Sequence, residues 1–290
     1  MSVRIWPHIG RRWWCGLAIS GQILVLCSQL AVAQSSQEER LLTDSVAGFG
    51  SAEWQTRETA FYSFLDCAAR GRFAGRTWTV ASMLEDLFKR YPAREETVKT
   101  ALIRLLTTEN ARMKSARSYT EEYGNYFGDL LGTIGALHDR RAIDTLLDNL
   151  GTGDMATKAL AGFGKDSLDR VLMRMDDSSL LIRQSATITL SEMLDPSVHA
   201  PLDSAAIGRI KAALLSALRD KSFFVQIAAI EGLTLLPGDD VTAVLKTVAA
   251  DDPFHRPTVD GRGISYPVRE AAQKALSLRS GRSGRSLPRS

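Results

Sequence analysis

The chain has 290 residues, of which 44% are hydrophobic and 24% charged, a balance typical of folded globular proteins that excludes a largely disordered chain. Its formal net charge of +3 comes entirely from the first 33 residues, which hold three arginines and no acidic residue. The rest of the chain is neutral overall, which argues against nucleic-acid binding through basic charge.

The N-terminus has the three parts of a secretory signal peptide. Three arginines precede an apolar stretch over residues 15–32, and Ala31 and Ala33 are small residues at the two positions that a signal peptidase reads. We therefore predict cleavage between Ala33 and Gln34 and export of the protein, to the periplasm or beyond. Two alternatives stay open: a twin-arginine type of signal, and a retained leader that anchors the protein in a membrane.

Beyond the leader, apolar residues recur with a helical period and no segment alternates as a strand would. The first pair of helices is predicted over residues 38–48 and 54–69. A second pair is predicted over residues 78–91 and 95–106, and a polar, basic linker over 108–120. The later helices alternate between leucine-rich and alanine-rich types. They are predicted over residues 120–135, 142–150, 166–175, 179–194, 208–218, 222–236, 239–249 and 265–279.

Equivalent leucines mark a repeat in these later helices. Leu131, Leu160, Leu190, Leu233 and Leu276 follow one another at intervals of 29, 30, 43 and 43 residues. A period of this length with paired amphipathic helices indicates a solenoid, because two short helices cannot bury their own apolar faces and must stack on neighbouring pairs. The longer intervals leave room for inserted loops, which we predict over residues 195–205 and 251–266.

A turn aspartate followed by an aliphatic-arginine dipeptide recurs in this region. Asp177 precedes Ile182-Arg183, and Asp252 precedes Val268-Arg269. With alanine and leucine following at helical spacing, this pattern resembles HEAT repeats, and most closely the short HEAT-like repeats of phycobilisome lyases. In that family the aspartate and the arginine tend to pair between adjacent repeats. Asp220 departs from the pattern, because Gln226 stands in the place of the arginine.

Period and resemblance together predict an all-α fold, a right-handed α-solenoid of about six to seven HEAT-like helix pairs. The predicted organisation is a signal peptide over residues 1–33, the repeat domain over 34–279 and a disordered basic tail over 280–290. Such repeats are informative about fold and say little about function. Stacked pairs do present extended curved surfaces that suit protein or peptide partners.

Three arginines occupy equivalent places in second helices of the predicted pairs: Arg57, Arg183 and Arg269. One interpretation is a structural ladder in which each pairs with a turn aspartate. The other is a row of cations along the concave wall that binds an acidic peptide or a carboxylate ligand. Phe223 and Phe224, near a helix start, serve either as exposed anchors for a partner or in helix packing.

The predicted loop over residues 251–266 contributes two further candidate residues, His255 and Asp260. Insertions of this kind often lie on the binding face of a solenoid, although turn-forming residues in a polar surface loop explain the composition equally well. We predict no catalytic group, metal site or cofactor.

The favoured function is an exported, non-catalytic scaffold that binds a protein or peptide on its concave face, without nucleic acid. Two alternatives remain. Kinship with the lyase repeats implies an enzyme or enzyme subunit of the bilin-lyase type, and a retained leader implies a membrane-tethered adaptor. The residues alone leave the oligomeric state open.

N-terminal sequencing of the exported protein tests the predicted leader. We expect the sequence to begin at Gln34, because Ala31 and Ala33 fit the peptidase site. An Ala33→Leu variant should accumulate as the uncleaved precursor, whereas Ser35→Ala, just beyond the site, should be processed normally. Exported protein that still begins at its first residues would favour the tethered adaptor.

Overall fold

A computed structural model describes residues 22–70, 79–116, 118–195, 202–260 and 262–283, with side chains described only within residues 35–281. Residues 1–21 of the predicted leader, most of the predicted loop over 195–205, and residues 284–290 of the predicted tail lie outside the described residues. The last helix continues to Ser283, past the predicted end of the repeat domain at 279.

The described residues are almost entirely α-helical. The helices are α1 (Gln22–Gly48), α2 (Trp54–Ala69), α3 (Val80–Arg90), α4 (Glu95–Ser115), α5 (Glu121–Leu137), α6 (Ile143–Leu147), α7 (Asp154–Gly162), α8 (Lys165–Met173), α9 (Leu180–Glu192), α10 (Ser204–Ala217), α11 (Phe223–Leu235), α12 (Asp239–Asp251) and α13 (Pro267–Ser283). A two-stranded antiparallel hairpin, β1 (Arg256–Pro257) and β2 (Ile264–Ser265), lies between α12 and α13.

Consecutive helices pack as antiparallel neighbours in a stack. Within the described residues there are six such pairs, α1/α2, α4/α5, α6/α7, α8/α9, α10/α11 and α12/α13, each with direct contacts between its two helices. The second helices from α5 to α13 contact one another in order, and so do the first helices from α4 to α10. The predicted all-α solenoid is therefore confirmed.

The N-terminal half departs from the prediction at α3 and α4. These helices do not form a pair: both pack on α5. The linker predicted over residues 108–120 was also wrong in its first part, because α4 continues to Ser115. The polar composition predicts a linker, yet within this segment Glu109 and Asn110 are buried and hydrogen-bonded.

Side-chain caps begin several of these helices. Thr79 accepts a hydrogen bond from the backbone amide of Ser82 at the start of α3. Thr120 does the same for Tyr123 at the start of α5, and Asp203 for Ala206 at the start of α10. Each cap satisfies an amide that a first helical turn leaves without a partner.

Helix α1 runs through the predicted cleavage site between Ala33 and Gln34. In the C-terminal half of α1, Glu38 joins the helix to the rest of the stack. It accepts hydrogen bonds from Arg90 at 2.6 Å and from Tyr91 at 2.8 Å. Leu42, one turn further on, is buried. In the part of the chain that the structure describes, no helix has both the length and the apolar character needed to cross a bilayer.

The second helices lie closer together than the first helices do. Small residues permit this: a Cβ atom on Gly135 of α5 would lie 2.9 Å from the Cα atom of Ala159 of α7, and one on Gly232 of α11 would lie 2.3 Å from Oγ of Ser191 of α9. Because one layer is spaced more tightly than the other, we infer that the stack curves with its second helices on the concave side.

The Gly135→Ala substitution should destabilise the protein. The added methyl group meets backbone atoms of Ala159, which cannot move without separating α5 from α7, and overpacking of this kind costs about 1–3 kcal/mol. Gly208→Ala is the matched control, since a Cβ atom there meets nothing within 4 Å. It should stabilise α10 by roughly 0.5–1 kcal/mol through helix propensity. Urea unfolding measures both changes, and equal effects would contradict the close contact.

Candidate partner-binding surface

Arg57 lies near the start of α2 and is only 4% exposed. Its Nε atom donates to Oε1 of Glu109 at 2.5 Å, and its Nη1 atom donates to the carbonyl oxygens of Ser51 and Ala52, each at 2.8 Å. The hydrogen bond to Glu109 raises the pKa of the Arg57 guanidinium, which stays charged. Arg57 therefore ties the turn before α2 to a carboxylate of α4.

Glu109 is fully buried and is the centre of a polar network between α2, α4 and α5. Besides Arg57, it accepts hydrogen bonds from the hydroxyl groups of Tyr123 at 2.7 Å and Tyr126 at 3.2 Å. Burial, together with the nearby carboxylate, raises the pKa of both tyrosines, so they remain hydrogen-bond donors. A buried carboxylate persists only with such a set of donors.

Arg183 of α9 repeats the arrangement. Its Nη1 atom donates to the carbonyl oxygens of Asp177 and Ser178 in its own turn, at 2.9 and 3.1 Å. Its Nε and Nη2 atoms donate to the two carboxylate oxygens of Asp220 in the next turn, at 2.8 and 3.1 Å. Burial opposes ionisation of Asp220, but the bonds from Arg183 and the amide of Ser222 lower its pKa overall.

These contacts favour the ladder interpretation of the arginines over a row of cations. The guanidinium groups of Arg57 and Arg183 are buried and each is engaged by a carboxylate of the following helix pair. Pairing between adjacent repeats, which the HEAT-like pattern implied for Arg183, is present. Neither group lies on the surface, so the predicted contact of Arg57 and Arg183 with a partner has no geometric support.

Gln226 stands at the next position of the ladder, on α11. Its Nε2 atom donates to the carbonyl oxygen of Asp220 at 3.1 Å, as an arginine would toward its own turn. Its Oε1 atom is buried without a hydrogen-bond partner among the described residues. The missing arginine thus interrupts the link to the following repeat, as the sequence pattern indicated.

Arg269 is the third residue of α13, the last described helix, and its hydrogen-bond partners differ from those of Arg57 and Arg183. Its Nε atom donates to the carbonyl oxygen of Asp252 at 2.6 Å, and its guanidinium group lies 4.5 Å from the centre of the Tyr266 ring. The side chain is half-buried. No described carboxylate forms an ion pair with it, because no helix pair follows α13 in the described residues.

The two phenylalanines at the start of α11 have different environments. Phe223 packs against the core and its ring stacks on that of Phe254, with centroids 4.5 Å apart. Phe224 is 46% exposed and lies against Phe223. The Arg256 guanidinium group lies 5.5 Å from the centre of the Phe223 ring. Phe223 therefore packs within the protein, while Phe224 remains available to a partner.

Asp260 and His255 belong to the hairpin. Asp260 accepts hydrogen bonds from the hydroxyl group of Thr258 at 2.6 Å and from the amide of Arg262 at 3.2 Å, and these bonds lower its pKa. The Nδ1 atom of His255 lies 3.1 Å from the carbonyl oxygen of Pro253. Asp260 thus shapes the turn, and the described residues contain no cluster of ligating side chains that could hold a metal ion.

The structure brings Phe223, Phe224, His255, Asp260 and Arg269 to the α11–α13 end of the stack. Arg57 and Arg183 lie elsewhere, inside the ladder. Sequence reasoning missed three members of this group, Phe254, Arg256 and Tyr266. The aromatic and basic residues within the predicted insertion were the signal that could have found them.

Three consecutive second helices also carry an exposed apolar residue in their first turn. Met155, Leu181 and Phe224 are each the second residue of their helix, in α7, α9 and α11. They are 38%, 57% and 46% exposed. We call these three residues the apolar row. Sequence analysis identified only Phe224, because an apolar residue on an amphipathic helix is usually assigned to the core.

Comparison of the sequence with protein-family models and with curated proteins finds no match. Among solved structures, the chain is similar to a designed armadillo repeat protein in complex with the peptide (KR)4, at 14% identity and a TM-score of 0.46, over 82% of this chain and 99% of that one. It is also similar to computationally designed armadillo repeat proteins for modular peptide recognition, at 14% identity and a TM-score of 0.42, again over 82% of this chain and 99% of that one. Likenesses this distant do not transfer a ligand to this chain.

The Glu109→Gln substitution should be strongly destabilising. It leaves the buried Arg57 charge without a counter-ion, and breaking a buried pair in this way costs about 3–5 kcal/mol. Asp144→Asn removes an exposed ion pair with Arg170 and should cost no more than about 1 kcal/mol. Chemical unfolding compares the two. A Glu109→Gln protein as stable as the Asp144→Asn protein would show that the ladder contributes little.

Proposed function

We propose that this protein is an exported, non-catalytic scaffold that binds a protein or peptide partner on the concave side of its solenoid. The observation that carries the proposal is the apolar row. Met155, Leu181 and Phe224 each lie in the first turn of one of three consecutive second helices, where solvent-facing positions are normally polar. Exposed apolar groups on neighbouring helices mark interaction surfaces.

The surroundings of the row support a binding role. Met155 rests on the glycine-lined side of α5, its Cε atom 2.8 Å from where a Cβ atom on Gly132 would lie. Polar side chains such as Lys158 and Glu231 are exposed on the same second helices. An apolar centre with a polar rim is the usual composition of a protein interface.

Export is part of the proposal and rests on the leader pattern. Cleavage after Ala33 keeps Ser35 and Glu38 in the mature chain, and both contact Tyr91. Glu38 also pairs with Arg90. The processed protein therefore retains these links between α1 and the rest of the stack, which is compatible with removal of residues 1–33.

Site-specific photocrosslinking in the exporting cell tests the scaffold. A photoreactive residue replaces Leu181 of the apolar row or Ile188, on the same second helix, and matched controls replace the exposed residues Thr107 and Ala243 on first helices. We expect one defined partner to crosslink at Leu181 and Ile188, because these positions lie seven residues apart on one face of a second helix.

The controls should give no such product. Equal crosslinking from both layers, or no product from the second helices, would contradict the proposal. Leu181→Asp should abolish the product from Ile188 while leaving the unfolding transition nearly unchanged, since its side chain is already 57% exposed.

A further inference from the structure

Of the three equivalent arginines, Arg57 and Arg183 form ion pairs with carboxylates, and Arg269, in the last described helix, does not. Arg57 reaches Glu109 and Arg183 reaches Asp220, in each case a carboxylate of the following helix pair. Arg269 has no following pair in the described residues. Its Nε atom is bonded to the carbonyl oxygen of Asp252, and neither of its Nη atoms has a described acceptor.

The Tyr266 ring holds the Arg269 guanidinium group in place, at 4.5 Å from the ring centre. A cation over an aromatic face keeps N–H donors that do not point at the ring available for binding, and here the two Nη atoms have no acceptor among the described residues. Such a fork matches the two oxygens of a carboxylate. The half-buried side chain has already lost much of its rotational freedom, which lowers the entropic cost of binding.

A second arginine at the hairpin is held in the same manner. Arg256 of β1 is exposed and lies over the Phe223 ring, which in turn stacks on Phe254. Among the described residues, no carboxylate lies within ion-pair distance of Arg256. Some exposed cations elsewhere have such partners, whereas others, such as Lys158 and Lys246, have none among the described residues. The existing pairs include Arg94 with Glu39, Arg140 with Asp166, Lys165 with Asp203, and Arg209 with Asp169.

The carboxylates of the hairpin are engaged by other donors. Asp260 accepts from Thr258 and the amide of Arg262, and Asp252 accepts from the amide of Phe254. Glu270 accepts from the hydroxyl group of Ser265 and the amide of Tyr266. Asp252, Asp260 and Glu270 therefore shape the backbone, and no described carboxylate forms an ion pair with Arg256 or Arg269.

We propose that Arg256 and Arg269 bind the carboxylates of an acidic peptide, with an apolar side chain of the peptide on Phe224. This inference rests on the proposed scaffold function and names the class of its partner. Charge complementarity selects the occupant: two positioned guanidinium forks beside an exposed aromatic ring fit acidic side chains that flank an apolar one.

A further helix pair or a second copy stacked on α13 fits the surface less well. The described outward side chains of α13 are mostly polar, and they include Glu270, Gln273, Lys274 and Ser277. A polar outer face is the property of a terminal repeat that ends a stack. The described face thus offers guanidinium donors for a carboxylate and, apart from Leu278, which is 53% exposed, little apolar surface for stacking.

Fluorescence anisotropy with a defined probe tests this inference. The probe is a capped, fluorescein-labelled peptide of alternating glutamate and leucine, and its control carries glutamine in place of glutamate. We expect the purified protein to bind the glutamate peptide at low salt and to bind the glutamine peptide at least about tenfold more weakly, because charge-assisted hydrogen bonds are lost.

Arg256→Gln and Arg269→Gln should each weaken binding about tenfold. Arg269→Lys, which keeps the charge but loses the fork, should also weaken it. Lys274→Gln is the matched control: it removes an exposed charge from the same helix and should change the affinity by less than about twofold. Circular dichroism during thermal unfolding verifies that each variant is folded.

Several outcomes would overturn the inference: equal binding of both peptides, equal loss in the Lys274→Gln protein, or equally strong competition by a single-stranded oligonucleotide. Concentration-dependent self-association that Arg269→Gln abolishes would assign the site to a second copy. If the peptide does not bind but the crosslink at Leu181 still forms, only the acidic class of partner is rejected. Peptide binding without crosslinking on the second helices would reject the concave scaffold instead.

Discussion

Consecutive second helices approach so closely that a methyl group on Gly135 would meet the backbone of Ala159. This contact sets the spacing of one layer of the stack, whereas the first helices lie further apart. We infer curvature from the difference, because a stack bends toward its more tightly spaced layer. The burial of each apolar face depends on that spacing.

The ladder of buried arginines fixes how neighbouring repeats align with one another. Arg57 and Arg183 each connect the turn of their own repeat to a carboxylate one repeat further on. Burial of such pairs costs desolvation energy, so their net stabilisation is small, but a shifted neighbour would leave a buried charge without a partner. The ladder therefore specifies how repeats align more than it strengthens them. Gln226 shows one position where this link is interrupted.

At the α11–α13 end the arginine position has a different environment, because a hairpin is inserted between the turn residue Asp252 and Arg269 and no helix pair follows in the described residues. Arg269 keeps the bond to its own turn and loses the carboxylate of a following repeat. Tyr266, which follows the hairpin, lies beside Arg269, and the hairpin places Arg256 over the ring of Phe223 in α11. A residue that is buried at other positions of the ladder is thus half-buried here, with two Nη atoms that have no acceptor among the described residues.

The helical period and the spacing of the leucines from Leu131 to Leu276 were enough to determine the all-α solenoid, because each short amphipathic helix requires a neighbour. The turn pattern around Arg183 also predicted its pairing with the next repeat. Tertiary structure alone decided that the polar residues around Glu109 continue a helix, because a buried hydrogen-bond network makes them interior. It also decided which arginines of the ladder form buried ion pairs. Arg57 and Arg183 pair with a carboxylate of the next helix pair, and Arg269 does not. The local sequence around each arginine does not show whether that carboxylate is present, because the partner lies in another repeat.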